Sequence, residues 1–243
     1  MLRTVESIDS TNAELARQWR AGEVRDGDAL RALHQTSGRG RMGRSFVELP
    51  SEALLLSVIK TLPDTPPIRE NAGWLTLATG LAMAEAVRPL APERVALKWP
   101  NDVLLDEKKL GGVLGELLDP EENVLPVVLG CGINTTAQAE PAPGATSLAL
   151  AGLDPSPETV NGIIDRFLAE LDARVEHVAA DRIERLHEEL SEVCLTPGRQ
   201  VRVTTVTGGV TEGRAVEIDR QGALVVDTEA GIVRVSGSDA NLI

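Results

Sequence analysis

The chain has no tyrosine, two phenylalanines and three tryptophans in 243 residues. Its interior must therefore be built from Leu, Val, Ile and Ala. Cysteine is almost as scarce. Cys131 and Cys194 lie far apart and match no metal or redox spacing, which excludes a disulfide scaffold or a zinc ribbon. Three histidines, His34, His177 and His187, make no ligand pattern, and the last two are expected on solvated helix faces. Runs of about 18 apolar residues are absent, as is the charged-then-apolar layout of a secretory leader at the N-terminus. A cytoplasmic protein with reduced thiols and no membrane span is the expectation. Basic charge is in deficit, with a formal net charge of −13, which argues against broad binding to nucleic acid or anionic membranes.

Against that acidic background stands Gly38-Arg-Gly-Arg-Met-Gly-Arg44, three glycines and three arginines in seven positions. Glycine lets backbone approach a ligand closely, and arginine offers a permanently charged fork for phosphate or carboxylate. A loop that closes over an anion fits these residues; the plainer alternative is a solvated basic turn. The spacing satisfies Gly-x-Gly-x-x-Gly, but Ser45-Phe46-Val47-Glu48-Leu49-Pro50 is not the helix start that a dinucleotide fingerprint needs. A P-loop fails because Arg44 stands where lysine belongs.

Two further clusters carry polar chemistry. Lys98-Trp-Pro-Asn101-Asp102 precedes Lys108-Lys109-Leu-Gly111-Gly112. Carboxylate for Mg²⁺, ammonium for phosphate and amide for orientation are what a nucleotide site requires; an Asn-Asp turn and a lysine-tipped hairpin are the alternative. Ser10-Thr11-Asn12 opens a helix, with Thr11 to Glu14 read as its capping box and Gly22 as its stop. A helix start with free N–H groups is also an anion site. Cys131 reads as core rather than nucleophile.

Strands are expected at about 29–35, 52–60, 95–105, 111–118 and 124–133, with helices at about 71–88 and 157–190. Composition shifts at Thr196-Pro197-Gly198. Short strands with glycine turns follow, implying a small barrel or sandwich that docks on the main domain, since about 45 residues make a poor independent core.

Taken in order, Ser10-Thr11-Asn12, Gln35 with the Gly/Arg loop, Lys98 to Asp102, Lys109 to Gly112 and Gly130-Cys-Gly-Ile-Asn134 resemble the biotin–protein ligase family. Phe46 replaces that family's usual tryptophan, and Gly111 its frequent alanine, a change expected to be mild. The resemblance implies an α+β fold: a mixed-sheet catalytic domain of the class II synthetase-like biotin/lipoate ligase type over 1–195, and an SH3-like β-barrel over 196–243. It implies that biotin is activated by ATP and Mg²⁺ to biotinyl-5′-AMP, then passed to a lysine of a biotin carboxyl carrier domain of acetyl-CoA carboxylase. Ser10, Thr11, Asn12 and Gln35 are then ring contacts, and Gly38, Arg39, Gly40 and Arg41 the loop retaining the adenylate. Lys109 bridges carboxylate and α-phosphate, and Gly112 walls the biotin pocket. Arg41, Arg44, Lys98, Asn101, Asp102 and Asn134 face the nucleotide, with Asp102 as the Mg²⁺ partner. Lys109, Arg39 and Arg41 are the expected catalytic groups. The short lead before Ser10 suggests a form without a DNA-binding module, hence no DNA partner; a homodimer is left open. The rival readings are a lipoate or octanoate ligase or transferase of the same fold, and a non-catalytic biotin-sensing module.

Overall fold

The computed structural model describes residues 1–43, 52–137, 142–205, 208–236 and 239–242. Seven strands form one mixed sheet: β1 (Leu2–Val5), β2 (Ala29–Ala32), β3 (Ala53–Pro63), β4 (Val95–Lys98), β5 (Asp102–Leu105), β6 (Lys108–Leu117) and β7 (Val124–Asn134). Their order is β1-β2-β3-β7-β6-β5-β4; β1 and β2 run parallel and every other pair antiparallel. The central strands β3 and β7 are buried on both faces, as their unbroken apolar runs require.

Helices cover both faces. On one lies α1 (Thr11–Arg20), whose Leu15 packs with Leu30, Ile59, Leu118 and Val128. The other carries α3 (Gly73–Val87), which follows the short α2 (Pro66–Glu70). Trp74, Leu75, Leu77, Ala78, Leu81, Ala82 and Met83 of α3 are all buried, because this helix lies between the sheet and α4 (Pro157–Ala179). A helix apolar on every side needs such a sandwiched position.

Four sequence expectations change. The strand expected at 95–105 is two, β4 and β5, which pair antiparallel across the turn at 99–101. Helix 157–190 is broken: α4 ends at Ala179 and α5 (Ile183–Val193) begins after Asp181, which takes a left-handed φ of 53°. Asn71 fixes that corner, its Nδ2 donating to Asp181 Oδ1 at 2.8 Å. His187 is half-buried and not simply on a solvated face, for its Nε2 lies 2.6 Å from the Ile218 carbonyl and its ring packs beside Trp74. Gly111 is not interchangeable with alanine, since an added Cβ would stand 2.1 Å from the Gly132 carbonyl oxygen.

The C-terminal strands are β8 (Gln200–Thr204), β9 (Val210–Ile218), β10 (Leu224–Thr228), β11 (Gly231–Val235) and β12 (Asp239–Leu242). They form an antiparallel sheet in the order β11-β10-β9-β8-β12. Two indoles fasten it to the main sheet. Trp74 Nε1 donates to the Arg220 carbonyl at 2.7 Å and Trp99 Nε1 to the Gly222 carbonyl at 3.0 Å. Among the described residues, no helix is long and apolar enough to cross a membrane.

Candidate active site

A cleft of about 160 Å³ opens where the N-terminus of α1 meets β3, β5, β6 and β7. Its floor is made by missing side chains. Gly112 and Gly132 are register partners on β6 and β7, and Gly130 faces Ser57 across β3. At Gly130 an added Cβ would lie 2.0 Å from Asn12 Oδ1, so only glycine lets the asparagine seat.

One end is a chain of hydrogen bonds among uncharged side chains that finishes at a carboxylate. Ser10 caps α1, its Oγ accepting from Ala13 N at 3.4 Å. The cap therefore falls one residue earlier than Thr11, which leaves Thr11 free for other work. Its N–H and hydroxyl both donate to Gln35 Oε1, at 2.7 and 3.0 Å. Ser57 Oγ lies 2.7 Å from Thr11 Oγ1 and 2.6 Å from Asn12 Oδ1, so its single proton serves one of them at a time. Asn12 Nδ2 donates to Glu116 Oε2 at 2.7 Å. Ser10, Thr11, Asn12 and Ser57 are all buried.

The other end is ionic. Asp102, at the start of β5, is buried with Lys98 Nζ at 2.7 Å from one carboxylate oxygen and Lys109 Nζ at 2.5 Å from the other. Burial by itself would raise the Asp102 pKa, but the charges of Lys109 and Lys98 outweigh it and hold the carboxyl below its usual range. Lys109 is thus no solvated hairpin tip; it is half-exposed and ion-paired, and its backbone is bonded to Gly144 and Thr146. Asn101 turns into β6, its Nδ2 donating to the Val113 carbonyl at 3.0 Å. Arg39, Gly40 and Arg41 complete the wall, and Ala240 of β12 adds a contact from the second sheet.

Of the residues singled out in the sequence, this cleft gathers Ser10, Thr11, Asn12, Gln35, Arg39, Gly40, Arg41, Lys98, Asn101, Asp102, Lys109 and Gly112. Gly38 is buried but not on the wall. Asn134 is not on it either: its Nδ2 donates to the Thr146 carbonyl at 2.9 Å, pinning the chain after β7. Arg44 and Phe46 lie outside the described residues. Each oxygen of Asp102, the residue expected to face Mg²⁺, already holds an ammonium group. No group of three metal-binding side chains occurs among the described residues. Sequence reading gave no role in the site to Ser57, Gly130 or Gly132. A lone serine inside Ala-Leu-Leu-Leu-Ser-Val-Ile and the Gly-Cys-Gly spacing were the available signals. Cys131 lines the cleft between those glycines, and burial pushes its thiol pKa well up, so it is not a ready nucleophile.

A nearly neutral, preshaped pocket that runs into a cationic one, on a mixed sheet with a small β appendage, defines a ligase-type architecture. Residues 4–134 match the family model for the biotin/lipoate A/B protein ligase family, and residues 196–242 match the biotin protein ligase C-terminal domain; the chain belongs to this family. It is 40% identical over 98% of its length, and 87% of the relative's, to the biotin–[acetyl-CoA-carboxylase] ligase of Mycobacterium tuberculosis. With the bifunctional ligase/repressor BirA of Escherichia coli it shares 32% identity, covering 97% of this chain and 72% of BirA. Its fold superposes with a TM-score of 0.81 on biotin protein ligase from Aquifex aeolicus in complex with biotin and ATP, at 27% identity, covering 100% of this chain and 99% of that one.

Proposed function

We propose that the protein joins biotin to a lysine of the biotin carboxyl carrier domain of acetyl-CoA carboxylase, by way of biotinyl-5′-AMP. The observation that carries this reading is the single cleft with a neutral hydrogen-bonding end and a lysine-rich end. A ureido ring offers a carbonyl acceptor and two N–H donors, which suits the network of Ser10, Thr11, Asn12, Gln35 and Ser57. The valerate tail would run over Gly112 and Gly132 toward Lys109.

There, two anions must meet. The biotin carboxylate oxygen attacks the α-phosphorus of ATP, the bond to the β-phosphate oxygen breaks, and pyrophosphate departs. Lys109 and Lys98, held apart by Asp102, neutralise carboxylate and phosphate without a protein nucleophile. Arg39 and Arg41 would hold the adenylate and keep water from it. In the second half-reaction a carrier lysine amine attacks the acyl carbon, and AMP leaves with the electron pair of the broken anhydride bond. The Mg²⁺ is assigned to the substrate, as MgATP; among the described residues no group of three metal-binding side chains occurs. Arg44 is assigned to the nucleotide side on resemblance alone. The division at 195/196 makes the second sheet a docked domain whose β12 borders the cleft.

The test is transfer of labelled biotin to a purified carrier domain, with nucleotide products identified. AMP and pyrophosphate are expected. ADP and orthophosphate would overturn the adenylate route. Labelling with lipoate or octanoate but not biotin would favour the related acyl ligases.

A further inference from the structure

One carboxylate beside the cleft bonds to a residue of each end and has no part in the mechanism. Glu116 follows Gly112 and Leu114 on the same face of β6, at the period of two that a strand imposes. Its Oε2 accepts from Asn12 Nδ2 at 2.7 Å, and its Oε1 lies 3.4 Å from an Arg39 guanidinium nitrogen. The two partners belong to different ends of the cleft. We infer that Glu116 is a positioning residue: it orients the Asn12 amide and holds Arg39 as a stand-in for the ligand's own anion, which must displace it.

Chemistry fixes the direction of the effect. Asn12 needs an acceptor at this point, and a glutamine carbonyl supplies one as well as a carboxylate does. Arg39 responds to the charge. Glu116→Gln therefore keeps the first contact and removes the second, so a carboxylate ligand no longer competes for Arg39. The Glu116 side chain is one-third exposed and that of Arg39 about half, so the competition is that of a solvent-screened pair.

The inference rests on biotin as the ligand. The experiment measures binding of biotin and of biotinol, its uncharged alcohol, to the full chain. Glu116→Gln should raise the preference for biotin over biotinol by roughly two- to fivefold, the worth of an exposed ion pair. In an Arg39→Ala background the same change should leave the preference where it was. Glu116→Ala, which also leaves Asn12 Nδ2 only the longer 3.4 Å contact to the Leu114 carbonyl, should in addition weaken both ligands in parallel. A purely structural Glu116 would move both affinities together, so an unchanged biotin-to-biotinol preference in Glu116→Gln overturns the role. Failure of the unaltered protein to bind biotin would instead overturn the functional proposal.

Discussion

The two ends of the cleft solve recognition in opposite ways. At the neutral end Ser10, Thr11, Asn12 and Ser57 are buried and each is bonded to a neighbour. The ionic end keeps long side chains that are partly exposed: Lys109 is 45% accessible and Arg39 54%. Neutral hydrogen bonds weaken steeply with misalignment, so a site that reads a ring must be rigid before the ligand arrives. Charges act over longer distances and tolerate slack, so a site that meets a changing anion can stay soft. Rigidity at one end and slack at the other make the comparison testable, because substitutions at each end should fail differently.

Lys109→Ala should have the largest effect. Loss of an ammonium aimed at developing charge slows adenylation by about 10²–10³-fold, the size seen when one transition-state donor is removed. Pyrophosphate release without carrier protein measures it. The biotin affinity should change far less than the rate. Some loss of stability is expected too, because Asp102 would keep only Lys98. Near-normal turnover would reduce Lys109 to a partner of Asp102.

Gly130→Ala tests the neutral end. With an added Cβ 2.0 Å from Asn12 Oδ1, the asparagine must move. Overpacking of this kind costs about 1–3 kcal/mol. Denaturant unfolding and biotin binding should both suffer, while an uncharged analogue loses as much affinity as biotin. A variant that binds biotin normally would show that this end has slack after all.

Legibility in the sequence also differed between the ends. Local chemistry was easy to read: an arginine loop in an acidic chain, lysines beside an aspartate, a polar helix start. These signals sit in consecutive residues, and most of them do line the cleft. What the sequence hid was register. Ser57 belongs to the site because β3 pairs Ser57 with Gly130 and alternation turns it toward α1; neither fact is local. The same reason explains Asn134, a strand-end amide that looked like a ligand group and instead bonds to Thr146. The α1 cap falls on Ser10, one residue before Thr11, whose hydroxyl bonds to Gln35 and Ser57 instead. The break at Asp181 likewise depends on Asn71, 110 residues away. Among larger features, the strand-rich C-terminus followed from short strands and glycine turns, whereas the α+β class and the mixed sheet followed only from the resemblance to the ligase family.

Asp102→Asn separates the ends by acid. The folded-state carboxyl lies below its usual 3.8, because Lys109 and Lys98 outweigh the opposing effect of burial. A depressed pKa stabilises the fold fully above the unfolded value, and that stabilisation disappears as pH falls through the folded one. At pH 7 the variant should be less stable by roughly 1–3 kcal/mol, the worth of a charged hydrogen bond. Below about pH 4 the gap should close, as the native protein loses what the variant never had. Parallel stability curves down to pH 2 would mean that Asp102 is not ionised by its lysines.

The smallest expected effect is Ser57→Ala. The hydroxyl touches Thr11 and Asn12 but none of the charged groups, and its single proton is shared between them, so its loss removes one neutral hydrogen bond. One neutral hydrogen bond is worth about 0.5–1.5 kcal/mol, and unfolding in urea should register a loss of that size. Biotin and biotinol should then weaken by the same factor, because Ser57 contacts neither Glu116 nor Arg39 and cannot sense the ligand's charge. If Ser57→Ala changes the preference between them, the ring end and the anion end are not separable. Charge would then be felt through the hydrogen-bonded chain from Asn12 to Glu116, and the division between a rigid reader and a soft clamp would have to be given up.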